Sequence, residues 1–380
     1  MQKLDVLAYK MDSYDTLDLI DKIKSYSQNS IILIFDFKKI FIKYKGNFNE
    51  LKDTIWKFHI INNKYLMNLL LPFLFSLDIL MMWWILFGIC FKYRPRIFWT
   101  ENVYAAFIAG ILIRLGLCDK LIYVPGDWLV NTNNKRLWSY LANNIMFPVL
   151  DYFACRFSSV VLYGNERLRA AREKFWGRKI ARKEKLCPFI QFPGISLKTT
   201  DSKKKGNTMC FLGDRRLDSG LDIAIKALPG IRKNYDIVLK AIGPVRDNDD
   251  YFKNLASDLR VAPFVKFYGY LDSRDLASVL EDCFCGLNIL TDKNSYSYYG
   301  FPGKQVHYLQ HLLPIILTEG AGSFVPVVLE NSLGMIVEPS VDAFHDAAIH
   351  LYERQQEYKS NIIQFIKNVL PIRIEEIIEA

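Results

Sequence analysis

Short, nearly unbroken apolar runs alternate with longer amphipathic stretches along almost the whole chain, and this alternation limits the fold more than any other feature. The runs that read as strands cover 4–9, 30–35, 96–100, 121–124, 160–163 and 186–190. In the second half they cover 208–212, 236–241, 264–268, 286–290 and 315–318. Most are separated by 10–20 residues of helical pattern. Strands that are apolar on both faces belong to parallel sheets covered by helices on both sides. A chain of 380 residues has room for two such domains. The polar run Lys198-Thr-Thr-Asp-Ser-Lys-Lys-Lys-Gly206 marks the boundary. The expected organisation is a domain at 1–197, a linker at 198–206, a second domain at 207–360, and a terminal helix at 361–380 free to return to the first domain.

Charge divides at the same place. Residues 1–206 carry 32 Lys and Arg against 17 Asp and Glu, whereas 207–380 carry 17 against 23. A basic front and an acidic back imply different partners, with anions or anionic lipid favoured in front. The seven cysteines form no CxxC pair and no signal peptide opens the chain, so reduced thiols in a cytosolic protein are expected. The five histidines show no HExxH or Cys/His ligand spacing, which speaks against a structural zinc.

One segment breaks the alternation. Residues 66–91 are almost wholly apolar and include Met81-Met82-Trp83-Trp84. Their length would span a membrane. A single span, however, would put strands 4–35 and 96–124 on opposite sides, although one sheet should hold them. A helix buried in the protein, or one lying in the membrane surface, satisfies both constraints.

The densest run of motifs begins with a strand ending Phe211-Leu-Gly213 and continues through Asp214-Arg-Arg-Leu-Asp-Ser-Gly220. A second strand ends Ile242-Gly-Pro244. Then Gly286-Leu-Asn-Ile-Leu290 leads to Tyr299-Gly-Phe-Pro-Gly-Lys-Gln-Val-His-Tyr308 and Leu313-Pro-Ile-Ile316. This order resembles the nucleotide-sugar-binding domain of GT-B glycosyltransferases, in particular the family 4, or group 1, enzymes. About 150 residues carry it closely; Tyr123-Val-Pro-Gly-Asp-Trp128 and Pro193-Gly194 extend it more loosely. The resemblance implies two Rossmann-like doubly wound domains facing a cleft, and retention of anomeric configuration.

The residues support a diphosphate site in their own right. Pro302 suits the first turn of a helix, where its missing N–H costs nothing. Free amides at that helix start, with Gly300, Gly303 and the positive end of the dipole, favour phosphate, and Lys304 adds a point charge. Gly213 and Gly243 would admit close backbone approach, and Arg215 or Arg216 would neutralise the anion. The chain departs from the resemblance at Tyr299 and His307, where the family carries acids; His307 would meet the donor ribose as a neutral acceptor. The family's Arg and Lys after the first glycine fall on Asp214 and Ser219. Asp247-Asn-Asp249 resembles a metal-binding Asp-x-Asp, but its place at a helix start explains its acids, and no metal or other cofactor is expected.

In the front domain Asp127 follows an apolar strand, near where relatives place a His-Asp pair at the acceptor. It would polarise an acceptor hydroxyl or stabilise an oxocarbenium-like centre, or else simply cap a turn. Glu101 is a second carboxylate at a strand end. Nine basic residues between 167 and 185, among them Arg167, Arg169, Arg172, Arg178 and Lys179, read as a solvated face or as a dock for anionic membrane, with Trp83 and Trp84 in the same domain. No nucleic-acid-binding pattern is present. The expectation is a nucleoside-diphosphate-sugar-dependent hexosyltransferase serving surface polysaccharide or glycoconjugate synthesis. It would use a glycan or polyprenyl-linked acceptor, peripherally on the inner face of the cytoplasmic membrane. A non-catalytic nucleotide-sugar-binding or scaffolding homologue and a nucleotide-sugar epimerase are the alternatives.

Overall fold

The computed structural model describes residues 4–11, 26–27, 29–36, 39–45, 49–57, 64–126, 128–130, 140–187, 197, 205–245, 247–271, 273–291, 298–300 and 303–368. The chain divides into two compact units, Met1–Gly194 with Ile372–Ala380, and Ile195–Pro371. Residues 198–204 and 369–380 lie outside the described residues. Gly206, expected at the end of a linker, is buried: its amide donates to Gln355 Oε1 (2.9 Å) and its carbonyl accepts from Gln355 Nε2 (2.8 Å).

In the first unit the strands are β1 (Val6–Met11), β2 (Ser30–Asp36), β3 (Lys39–Lys45), β4 (Asn49–Lys57), β5 (Ile97–Thr100), β6 (Lys120–Tyr123), β7 (Val160–Tyr163) and β8 (Glu184–Leu186). They form one sheet in the order β4-β3-β2-β1-β5-β6-β7-β8. All neighbours are parallel except β2–β3 and β3–β4. That antiparallel addition corrects the expectation of a wholly parallel sheet. Only two residues separate Asp36 from Lys39, enough for a hairpin and far too few for a crossover. The helices are α1 (Lys64–Tyr93), α2 (Val103–Arg114), α3 (Phe147–Phe157, entered through a π-helical turn Ala142–Met146) and α4 (Glu166–Trp176). Sheet residues alternate between two cores: Leu7, Tyr9, Phe98 and Leu121 face α1 and α2, while Val6, Ala8, Ile97 and Trp99 face the other way. Asn102 starts α2 by accepting from the amides of Tyr104 and Ala105, both at 3.0 Å.

The second unit holds β9 (Thr208–Leu212), β10 (Val238–Ile242), β11 (Val265–Tyr268), β12 (Cys283–Asn288), β13 (Ile315–Leu317) and β14 (Gly334–Ile336), all parallel, in the order β11-β10-β9-β12-β13-β14. The helices are α5 (Leu221–Ile231), α6 (Asp249–Asp258), α7 (Ser273–Leu280), α8 (Gly303–Gln310), α9 (Val325–Asn331), α10 (Val341–Glu353) and α11 (Gln355–Asn368). α11 runs across position 360, where a separate terminal helix was expected. Every residue of β9 and β12 is buried, which is what central strands covered on both faces require.

Candidate functional site

In the second sheet the chain winds outward from β9 to β11 on one side and from β12 to β14 on the other. The carboxyl ends of β9 and β12 therefore flank the point where strand order reverses, the place where open α/β sheets bind ligands. The turn after β9 and the start of α8 are the elements that reach it.

Gly213 closes β9 with φ +121°, a conformation that a side chain would strain, and its amide donates to Ile242 O at 2.9 Å. A Cβ on Gly243 would lie 2.0 Å from Gly213 O. The two glycine turns thus touch backbone to backbone.

The arginines separate. Arg215 is buried, with Nε and an Nη donating to the two Asp249 oxygens at 2.8 and 2.6 Å. Its other Nη donates to Gly243 O (3.1 Å) and Tyr268 O (2.9 Å). The guanidinium braces the ends of β10 and β11, which separates Arg215 from Arg216, the pair that the sequence offered as alternatives. Asp249, from the Asp-x-Asp, is the counter-ion of Arg215. Arg216 keeps 31% of its side chain exposed and forms a fork with Asp218 at 2.8 and 2.9 Å. Arg216 is the arginine at hand for an anion.

α8 begins at Gly303; Phe301 and Pro302 lie outside the described residues. Lys304 Nζ sits 5.3 Å from the ring centre of Phe211 at the end of β9, so helix start and glycine turn converge. Burial, and then the Arg216 charge, push the Lys304 pKa down to about 8. Tyr308, one turn on, fixes this geometry: its hydroxyl accepts from Leu212 N (2.8 Å) and reaches Leu287 O (3.0 Å) and Cys210 O (3.2 Å). Its ring fills the space over Gly286, where a Cβ would meet Tyr308 Cγ at 2.3 Å. Asp249 reads from sequence as a helix-start acid and not as a partner of Arg215; Tyr308 was not singled out, and its signal was a tyrosine on the helix that follows the glycine-bearing strand. His307 is half-buried on α8, and Tyr299 and Gly300 precede it, the Gly300 carbonyl accepting from Ser323 Oγ at 2.9 Å.

In the first unit strand order reverses between β1 and β5, and Glu101 directly follows β5. Asp127 lies outside the described residues, but its neighbour Trp128 is buried between Phe147 and Phe175, with ring centres 5.7 and 5.5 Å away. Arg172, expected on a membrane or acceptor face, is instead buried, with Nε 2.7 Å from Asp151 and its guanidinium 5.1 Å from the Trp128 ring. Asp151 also accepts from Tyr123 Oη at 2.8 Å. Arg169 is engaged by Glu166 and lies 3.8 Å from Glu184, and Lys179 is 2.8 Å from Glu184. Arg167 is half-buried; Arg178 is exposed. Trp83 leans on the core of the sheet, whereas Trp84 is exposed.

Residues 196–369 match the family described as "Glycosyl transferases group 1". No protein of curated function matches the sequence. Among solved structures, HepE of Anabaena in complex with UDP superposes with a TM-score of 0.67 at 15% identity, over 99% of this chain and 100% of that one. The sucrose-phosphate synthase of Thermosynechococcus elongatus gives 0.67 at 11%, over 99% and 98%. WaaG, a glycosyltransferase involved in lipopolysaccharide biosynthesis, gives 0.61 at 13%, over 99% of each. The fold class is GT-B.

Proposed function

Starting from a second unit that matches the group 1 glycosyl transferases, we propose that this chain moves a sugar from a nucleoside diphosphate to a glycan or lipid-linked acceptor at the cytoplasmic face of the membrane. The observation that carries the reading is the pairing of Lys304 with Arg216 at the strand-order reversal. The Arg216 charge lies close enough to depress the lysine, Arg216 itself is forked to Asp218, and the charged lysine is held at a cost. A diphosphate would repay that cost, and the UDP complex of HepE makes UDP the first nucleotide to test.

In the proposed reaction the bond from the anomeric carbon to the diphosphate oxygen breaks and its electron pair leaves with the diphosphate. Lys304, Arg216 and the amides opening α8 stabilise that developing charge, a preorganised electrostatic effect that needs no metal. An acceptor hydroxyl oxygen then bonds to the same carbon and passes its proton to Asp127 or Glu101, the carboxylate that polarises it. Retention of configuration is part of the proposal. The donor is assigned to the second unit, with His307 and Tyr299 toward its nucleoside, and the acceptor to the first.

A second reading, a nucleotide-sugar-binding protein without turnover, draws on Tyr299 and His307 standing where the family carries acids. Nucleoside diphosphate release from sugar donors, measured with and without acceptor extract, separates the two. Acceptor-dependent release supports transfer. Binding without release supports the second reading, and donor conversion without any acceptor supports an epimerase.

A further inference from the structure

α1 turns Met82, Leu86 and Cys90 into the core of the first sheet. By length and composition Ser76–Tyr93 would suffice to cross a membrane, yet 17% of that stretch is buried. On its outer side Leu80, Trp84 and Phe91 are 55%, 60% and 57% exposed. α3 repeats the arrangement: Ala154 and Cys155 are buried, while Ile145, Val149 and Phe153, four residues apart, are exposed. α2 lies between them, and Phe107 on α2 meets Phe153 with ring centres 6.2 Å apart. A surface helix ordinarily carries its charges outward. α1, and α3 with its entry turn, carry apolar side chains outward instead.

Cations gather at one edge of this layer, with the exposed Asp119 as the acid beside them. α1, α2 and α3 have Lys92, Arg114 and Arg156 in their last turns. Arg94 bridges two of the ends, its guanidinium donating to Gly116 O at 2.6 Å. Arg114 lies 3.8 Å from the Phe157 ring centre and Arg94 6.0 Å from that of Phe91. Among the described residues neither makes an ion pair with a carboxylate. The three helices contain two acids: Asp151 is locked to Arg172, and Asp78 is half-buried. Cations resting on aromatic rings at the rim of an apolar ridge match the boundary between anionic headgroups and acyl chains. A second copy of the same face would bring positive rim against positive rim.

We infer that the outer side of the α1–α2–α3 layer seats this protein on an anionic membrane, with the apolar ridge entering the headgroup boundary and the basic side chains of the last helical turns gripping phosphate. Within the basic stretch 167–185, Arg169, Arg172 and Lys179 are engaged by carboxylates. This deepens the membrane placement of the proposed function but uses no residue of the donor site, so the two can fail separately.

Flotation of the full chain with vesicles of phosphatidylcholine, alone or mixed with phosphatidylglycerol, tests it. Wild type should float with the anionic vesicles, less so as salt rises. Lys92→Gln with Arg114→Gln should lower that partition about 30-fold, the factor two basic residues supply near such a surface. Trp84→Gln with Ile145→Gln and Val149→Gln should lower it further and leave the salt dependence. UDP affinity and the unfolding midpoint should stay at wild-type values in both, since every substituted side chain is exposed. Unchanged flotation of either variant, equal wild-type binding to neutral vesicles, or sedimentation showing that the apolar variant abolishes a dimer instead would overturn the assignment. Loss of UDP binding with flotation intact would sink the donor reading and leave this one standing.

Discussion

Lys304→Met should make the free protein more stable and its nucleotide complex weaker. Methionine keeps the length of the side chain and removes the charge. In the folded protein burial and Arg216 depress the lysine from 10.5 to about 8, whereas the unfolded chain restores the ordinary value. A shift of that size corresponds to roughly 3 kcal/mol at 1.36 kcal/mol per unit. Because the side chain is only half-buried, solvent screening reduces this to about 1–2 kcal/mol. The sign follows from proton counting: between about pH 8 and 10.5 the unfolded chain binds the extra proton, so wild-type stability rises with pH across that window. Below it the full penalty applies. At pH 7 the variant should therefore unfold later than wild type, by about 3–6 °C for a unit of this size, and the difference should vanish near pH 10.5. The transition to follow is the one that UDP shifts, which reports the second unit. Loss of one charge-assisted contact should meanwhile weaken UDP about 10- to 100-fold. A variant less stable than wild type at pH 7, or a gain that ignores pH, would refute the reasoning that the cation is held at a cost for an anion.

The same lysine sets the pH dependence of the wild type: UDP affinity should fall as pH rises through about 8, read by calorimetry. Arg216→Ala should weaken UDP about tenfold with little change in stability, whereas Asp249→Ala should cost about 3–5 kcal/mol by stranding the buried Arg215 charge; equal effects of the two on UDP binding would contradict the separation. Asp127→Asn should lower kcat about 100-fold or more with near-normal nucleotide affinity, and near-wild-type transfer would reduce Asp127 to a turn cap and move the test to Glu101. Chelator should leave turnover intact; a strict requirement for Mn²⁺ or Mg²⁺ in activity assays would count against charge stabilisation by side chains alone.

Where local chemistry decided structure, the sequence was readable. The apolar runs at 208–212 and 286–290 read as buried strands of a parallel sheet, and β9 and β12 lie on them in whole or in part. What stayed hidden depended on contacts between distant residues. Nothing in Asp214-Arg-Arg says which arginine turns inward; Asp249, thirty-four positions from Arg215, decides it. Arg172 read as one of nine surface cations until Asp151, from another helix, claimed it. The β3–β4 hairpin escaped because residues 39–57 mix Lys, Glu and Asp with their apolar positions, a composition suited to an edge. Segment 66–91 was legible as apolar, but which of its sides is covered is settled by the sheet beneath it.

The central claim is that Lys304 and its neighbours hold a sugar nucleotide whose sugar is passed on. The most direct test incubates wild type and Lys304→Ala with native membranes and a panel of nucleotide sugars, then weighs the products by mass spectrometry. The account predicts one glycan or lipid species heavier by a single sugar residue with wild type, from one donor, and its loss or near-loss with the variant. An equal yield of that product from Lys304→Ala, or donors returned intact by a wild type that binds them, would contradict it.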